Sequence, residues 1–127
     1  MTTGITLDTG ALLALDNPSK AAALQLRLTL ARGLGHSICI PVEVVAQAWR
    51  SPRQVRLTRL INSKDVEIVI MTPLRAKAVG RLCASSGHND VVDVHVAVCA
   101  RERDHAVLTS DPEDIARVDP SLPRILV

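Results

Sequence analysis

Short β-like runs alternate with helical stretches along the whole of this chain, and that alternation constrains its fold more than any other feature. Gly4 to Leu7 (GITL) reads as a buried strand ending at Asp8, followed by a short helix or turn from Thr9 to Leu15, closed by Asn17-Pro18. Ser19 is placed to cap a helix running to about Arg32, with Ala22, Leu26 and Leu30 on one face. Ser37 to Ile40 (SICI) is a second strand, and Pro41 suits the first turn of a helix carrying Glu43 through Arg50. After the Ser51-Pro52 break a helix resumes from Arg53 to Ile61, and Val66 to Met71 is a third strand. Thr72-Pro73 opens a helix that ends at Gly87, and Asn89 is placed to cap the next one, which runs to about Arg103. Ala106 to Thr109 forms a fourth strand, and Ile125 to Val127 is a candidate fifth. Such alternation implies βαβ units: an α/β fold with a mostly parallel sheet of four to five strands between helical layers. With no repeat, linker or low-complexity tract, residues 1–127 read as a single domain.

The core must be aliphatic, because the chain has no Phe or Tyr and only one Trp, Trp49. Trp49 reads as core or interface packing. A platform that stacks successive bases on aromatic rings has almost nothing to work with here, which leaves base stacking by Trp49 the lesser reading. A net charge of +2, from 15 Lys and Arg against 13 Asp and Glu, neither requires nor excludes a nucleic-acid partner. Cys39, Cys83 and Cys99 lie in separate apolar runs without a C-x-x-C, which suits buried, reduced thiols and a cytoplasmic location. No apolar run approaches the ~18 residues of a membrane span.

In an open parallel sheet, ligands bind beyond the carboxyl ends of the strands. Asp8 follows the first strand, Glu43 the second, and Asp111 the strand AVLT, so three acids distant in sequence are expected to converge there. Asp90 and Asp93, spaced i, i+3 at the start of an apolar helix, add to the same pole. Clustered carboxylates need compensation, and a helix N-terminus contributes only about 0.3–1 kcal/mol per charge. A divalent cation is the simpler answer. Oxygen ligands select Mg²⁺, with Mn²⁺ as a substitute, rather than zinc. The four histidines (His36, His88, His95, His105) show no ligand spacing, and His95 is expected to point away from Asp93.

ITLDTGALLAL resembles the opening of PIN domains, where an Asp ends the first strand. PVEVVAQAWR is similar to their second-acid segment, as it stands in VapC-like toxins. NDVVDVHVAVCARERDHAVLTSDPEDI resembles their third block, a helix with D-x-x-D followed by a strand ending in T-S-D-P. The resemblance implies a three-layer α/β/α fold and a Mg²⁺-dependent endoribonuclease of a VapBC-type toxin–antitoxin pair. Its implied partners are RNA, a VapB-like antitoxin and a second copy in a homodimer. It assigns Asp8, Glu43, Asp93 and Asp111 as catalytic acids, with Asp90 as an additional or alternative ligand beside the metal-binding Asp8, Asp93 and Asp111. Thr9 and Ser110 are candidates to position substrate, although strand-end hydroxyls more often serve structure. Arg50, Arg53, Arg56 and Arg59 recur every third residue, a spacing that on one continuous helix would make a phosphate-tracking stripe; Arg50 and Arg53 lie nearest Glu43.

Other readings fare worse. LDTGA also matches the loop of retroviral-type aspartic proteases, but that fold is all-β. A phospho-acceptor receiver domain wants paired acids after its first strand, and a dinucleotide site wants G-x-G-x-x-G. The remaining alternative is a catalytically inactive PIN-like module that only binds RNA or protein, which a missing acid would favour; the acidic quartet is complete.

Overall fold

The computed structural model describes residues 2–127 and bears out the α/β expectation. Five strands form one sheet: β1 (Gly4–Leu7), β2 (Ser37–Pro41), β3 (Val66–Val69), β4 (His105–Thr109) and β5 (Arg124–Leu126). Their order is β3-β2-β1-β4-β5 and every pairing is parallel, so the sheet is parallel throughout rather than mostly so. β1 lies centrally, with Leu7 opposite Leu108, and both side chains are fully buried. A parallel sheet is covered on both faces, which is why its central strands read as unbroken apolar runs.

Seven helices cover it: α1 (Thr9–Ala14), α2 (Ala21–Gly33), α3 (Val42–Ala48), α4 (Val55–Ile61), α5 (Pro73–Ser86), α6 (Val91–Arg103) and α7 (Pro112–Val118). α6 is the central one. It packs on β1, β2 and β4 and buries every residue from Val94 to Ala100. It runs antiparallel to β4 and is joined to it by one residue, Asp104, in the left-handed conformation at φ 57°. Among the described residues no helix is long and apolar enough to cross a membrane.

Several local expectations are corrected. α2 has Lys20 at its N-cap with no capping side chain, while Ser19 bonds Asn17 instead. Its buried face is Ala21, Leu24, Leu28 and Ala31, whereas Ala22, Leu26 and Leu30 are exposed. The two leucine stripes are offset by two residues, so periodicity alone cannot choose between them. Pro41 closes β2 in an extended conformation and serves as N-cap of α3, which stops at Ala48, short of Arg50. α4 starts at Val55 rather than Arg53, and β3 ends at Val69 rather than Met71. Asp90, not Asn89, caps α6. Cys39 and Cys99 are buried free thiols as expected, but Cys83 is only half-buried.

Candidate active site

Each acid reaches the carboxyl end of the sheet by its own local rule. Asp8 follows β1 directly and caps α1, its Oδ1 accepting from the Ala11 amide at 2.8 Å. The α1 backbone then passes Ser110 so closely that a Cβ at Gly10 would lie 1.9 Å from the Ser110 Oγ. Glycine in the D-T-G run is thus a consequence of two strand ends meeting. Glu43 lies in the first turn of α3. Asp111 caps α7, accepting from the Asp114 amide at 3.2 Å. Asp93 lies in the first turn of α6, whose N-terminus is brought to this pole by its antiparallel run against β4. Asp90 spends one carboxylate oxygen on the amides of Val92 and Asp93, at 3.0 and 3.2 Å.

Asp8 is the most constrained of these groups. It is 8% exposed, and among the described residues it has no ion pair. Burial pushes its carboxyl above the ordinary carboxylate range, and repulsion from Asp93 and Asp111 adds to that. The Thr109 hydroxyl and the Ala11 amide act the other way. Asp93 is shifted upward as well. Burial is the main cause and Asp90 and Asp114 reinforce it, while the hydrogen bond to His88 opposes it.

Two histidines belong to this pole, which corrects the expectation drawn from their spacing. His88 Nε2 lies 3.0 Å from Asp93 Oδ2. His95 does point away from Asp93, but only to meet Glu43: its Nδ1 donates to Glu43 Oε2, and its ring is fully buried. The remaining atoms of that pair, Glu43 Oε1 and His95 Nε2, are buried without a hydrogen-bond partner among the described residues. A histidine inside the apolar run VHVAVCA was the available signal, since a histidine in an apolar helix needs a partner. Gln47 was also missed; it accepts from the Thr9 hydroxyl at 2.5 Å and ties α1 to α3.

The proposed arginine stripe does not form. Arg50 lies past the end of α3, with its guanidinium on the carbonyls of Ala46 and Trp49, and Arg53 lies in the turn between helices. Only Arg56 and Arg59 share a helix. Trp49 is half-buried against the core and donates to the Thr58 hydroxyl at 2.9 Å, pinning α3 to α4.

Among the described residues, no three Asp, Glu, His or Cys side chains converge closely enough to hold an ion together. A hard cation needs less, because Mg²⁺ keeps several of its waters and takes one or two carboxylates. The residues present fit such an ion. Asp93 and Asp111 both repel the Asp8 charge, the donors are oxygen, and Glu43 Oε1 is a buried acceptor with its demand unmet among the described residues.

An all-parallel α/β layer with carboxylates from separate strands gathered at one pole defines an acid-site α/β domain. The PIN domain model matches residues 5–120, and the chain belongs to the PIN domain family. Proteins of this family are generally metal-dependent nucleases. The fold is also that of a solved structure of FitAB bound to an IR36 DNA fragment. That likeness has a TM-score of 0.64 and 14% identity, over 96% of this chain and 94% of that one. No curated protein sequence gives a significant match.

Proposed function

We propose that the protein is a Mg²⁺-dependent endoribonuclease, with Mn²⁺ able to substitute, acting as the toxin of a VapBC-type toxin–antitoxin pair. The observation that carries this reading is Asp8: a buried carboxylate without a cationic partner, set against Asp93 and Asp111. Such a group is costly in isolation and is relieved by a divalent ion. Asp8, Asp93 and Asp111 would hold the ion, with Asp90 at the edge through its free carboxylate oxygen. The chemistry a bound ion supplies is polarisation of a phosphate oxygen and a lowered pKa for the attacking water.

The chain's own groups do the positioning. His95 fixes the Glu43 carboxylate by holding Oε2, leaving Oε1 as an acceptor for a proton or a water. His88 orients Asp93. The contact between Gly10 and Ser110 keeps the ends of β1 and β4 together, so Asp8 and Asp111 stay at a fixed separation. Ser110, exposed beside them, is suited to contact the RNA backbone. Thr9 is less suited, because its hydroxyl is given to Gln47. Arg53 is exposed and open to phosphate, whereas the Arg50 side chain is occupied by carbonyls. The exposed leucines 26, 30 and 34 form an apolar surface of the kind that serves a VapB-like antitoxin or a second copy in a homodimer.

The test is cleavage of RNA by the purified protein with Mg²⁺ or Mn²⁺. Asp8→Asn and Asp93→Asn are each expected to abolish it while circular dichroism stays native. Undiminished cleavage in both variants would reject the assignment.

A further inference from the structure

A cleft of about 470 Å³ opens between α2 and α4, away from the acids and toward the amino end of edge strand β3. Its floor is aliphatic, from Leu28 and Leu60, and its walls carry Arg32, Arg56, Arg59 and Lys64. One carboxylate, Asp65, faces these four cations. Arg32 Nε binds it at 2.6 Å and the Ser63 hydroxyl donates to it as well, which holds its carboxyl down at about 2. Arg56, Arg59 and Lys64 have no carboxylate partner among the described residues. In a chain whose charges nearly balance, an excess of three cations around one cleft is a local demand for anionic ligand.

The chemistry of that demand is specific. Guanidinium forks match the paired oxygens of a phosphodiester, and Lys adds a point charge. The cleft has no aromatic ring, so it has no platform for bases. It is also coupled mechanically to the acidic pole. α1 is capped by Asp8 and covers roughly 9 Å at 1.5 Å per residue. Asp16, just beyond it, accepts the amides of Arg56 and Leu57 at 3.2 Å each. The first turn of α4 is thereby fixed to the strut that also carries Asp8.

We propose that this cleft is an exosite for the sugar–phosphate backbone of single-stranded RNA, gripping the strand a few nucleotides from the acidic pole. The proposal rests on the reading of that pole as a site for RNA cleavage. The exosite adds affinity without reading sequence.

The experiment is anisotropy of a fluorescein-labelled oligouridylate of about 20 nucleotides, titrated with the full chain in EDTA across a salt series. For Arg56→Gln/Arg59→Gln/Lys64→Gln, affinity at low salt is expected to fall about tenfold or more, and the salt slope to drop by about 2. A charge-matched control, Lys77→Gln/Arg81→Gln/Arg124→Gln, is expected to change affinity less than about twofold. If the triple variant does not fold, Arg59→Gln alone is expected to lower the slope by about 0.7. Unchanged RNA binding by the cleft variant overturns the proposal, as does an equal loss in the control. The same titration is run with a labelled polyglutamate of similar length, and a loss confined to that probe overturns the proposal and points to an acidic protein segment as occupant. Because no divalent ion is present, this result stands apart from whether Asp8 and Asp93 are needed for cleavage.

Discussion

The two ends of the sheet each bury a histidine, and they treat it in opposite ways. At the amino end His105 lies between Thr6 and Ser37, its Nδ1 3.0 Å from the Thr6 hydroxyl and its Nε2 2.7 Å from the Ser37 hydroxyl. Burial lowers its pKa, so it stays a neutral ring with both nitrogens satisfied. At the carboxyl end His95 has one nitrogen on Glu43 and the other on nothing, and Glu43 repeats the pattern. Buried polar groups are normally paired, and this pair leaves two atoms without a partner among the described residues. One end of the sheet is built to be stable. The other leaves polar atoms unmet, as the proposed ion site would require.

Gly4→Ala should break the amino end hardest. A Cβ there would sit 2.3 Å from the Ser37 carbonyl oxygen and 2.5 Å from His105 Nε2, and the backbone cannot retreat. A loss of about 3 kcal/mol or more is expected in urea unfolding, with cleavage per folded molecule unchanged. His95→Gln should show the reverse: RNA cleavage or divalent-ion affinity down roughly 10–100-fold, with a smaller change in stability. Equal effects of these two changes on cleavage would erase the contrast between the ends. His105→Leu strands the Thr6 and Ser37 hydroxyls and is expected to cost about 2 kcal/mol, read by denaturant titration, again without a specific loss of activity.

The smallest effect sharpens the comparison through pH. The Asp8 carboxyl has a folded-state pKa above its unfolded value, so the folded state holds its proton more tightly. Its contribution to stability is full below the unfolded pKa and is lost as pH rises through the folded one. Without divalent ions, Asp8→Asn should therefore raise the melting temperature modestly at neutral pH, because Asn can still cap Ala11. The gain should vanish as pH falls below the carboxylate range. A gain that persists in acid would mean that the Asp8 charge is not what strains this end. Adding Mg²⁺ should raise the melting temperature of the native protein and leave the variant nearly unmoved.

Much of this was legible in the chain. Strand order was not stated by the sequence, yet the positions of Asp8, Glu43 and Asp111 after apolar runs put them at one pole, because a parallel sheet aligns all its strand ends. Element boundaries were read less well where two patterns overlap. The two leucine stripes of α2 are equally periodic, and only the packing partner decides between them. His95 escaped because its partner is a contact of the fold, Glu43 lying 52 residues away, whereas His88 reaches Asp93 across only five residues, from the loop before α6. The basic cleft likewise joins α2 to α4 and the approach to β3, which no local spacing reports. The arginine stripe failed for a local reason, since the break at Ser51-Pro52 leaves Arg50 and Arg53 outside the helix that carries Arg56 and Arg59.

The single left-handed residue between α6 and β4 has a consequence for how such a chain can change. Asp104 leaves no slack, so an insertion there would slide β4 by one position against β1 and turn its side chains to the opposite layer. Variation in length must then accumulate elsewhere, in the stretch from Gly87 to Asp90 that leads into α6. There, added length would reshape the rim above Asp93 while the sheet beneath keeps its alignment.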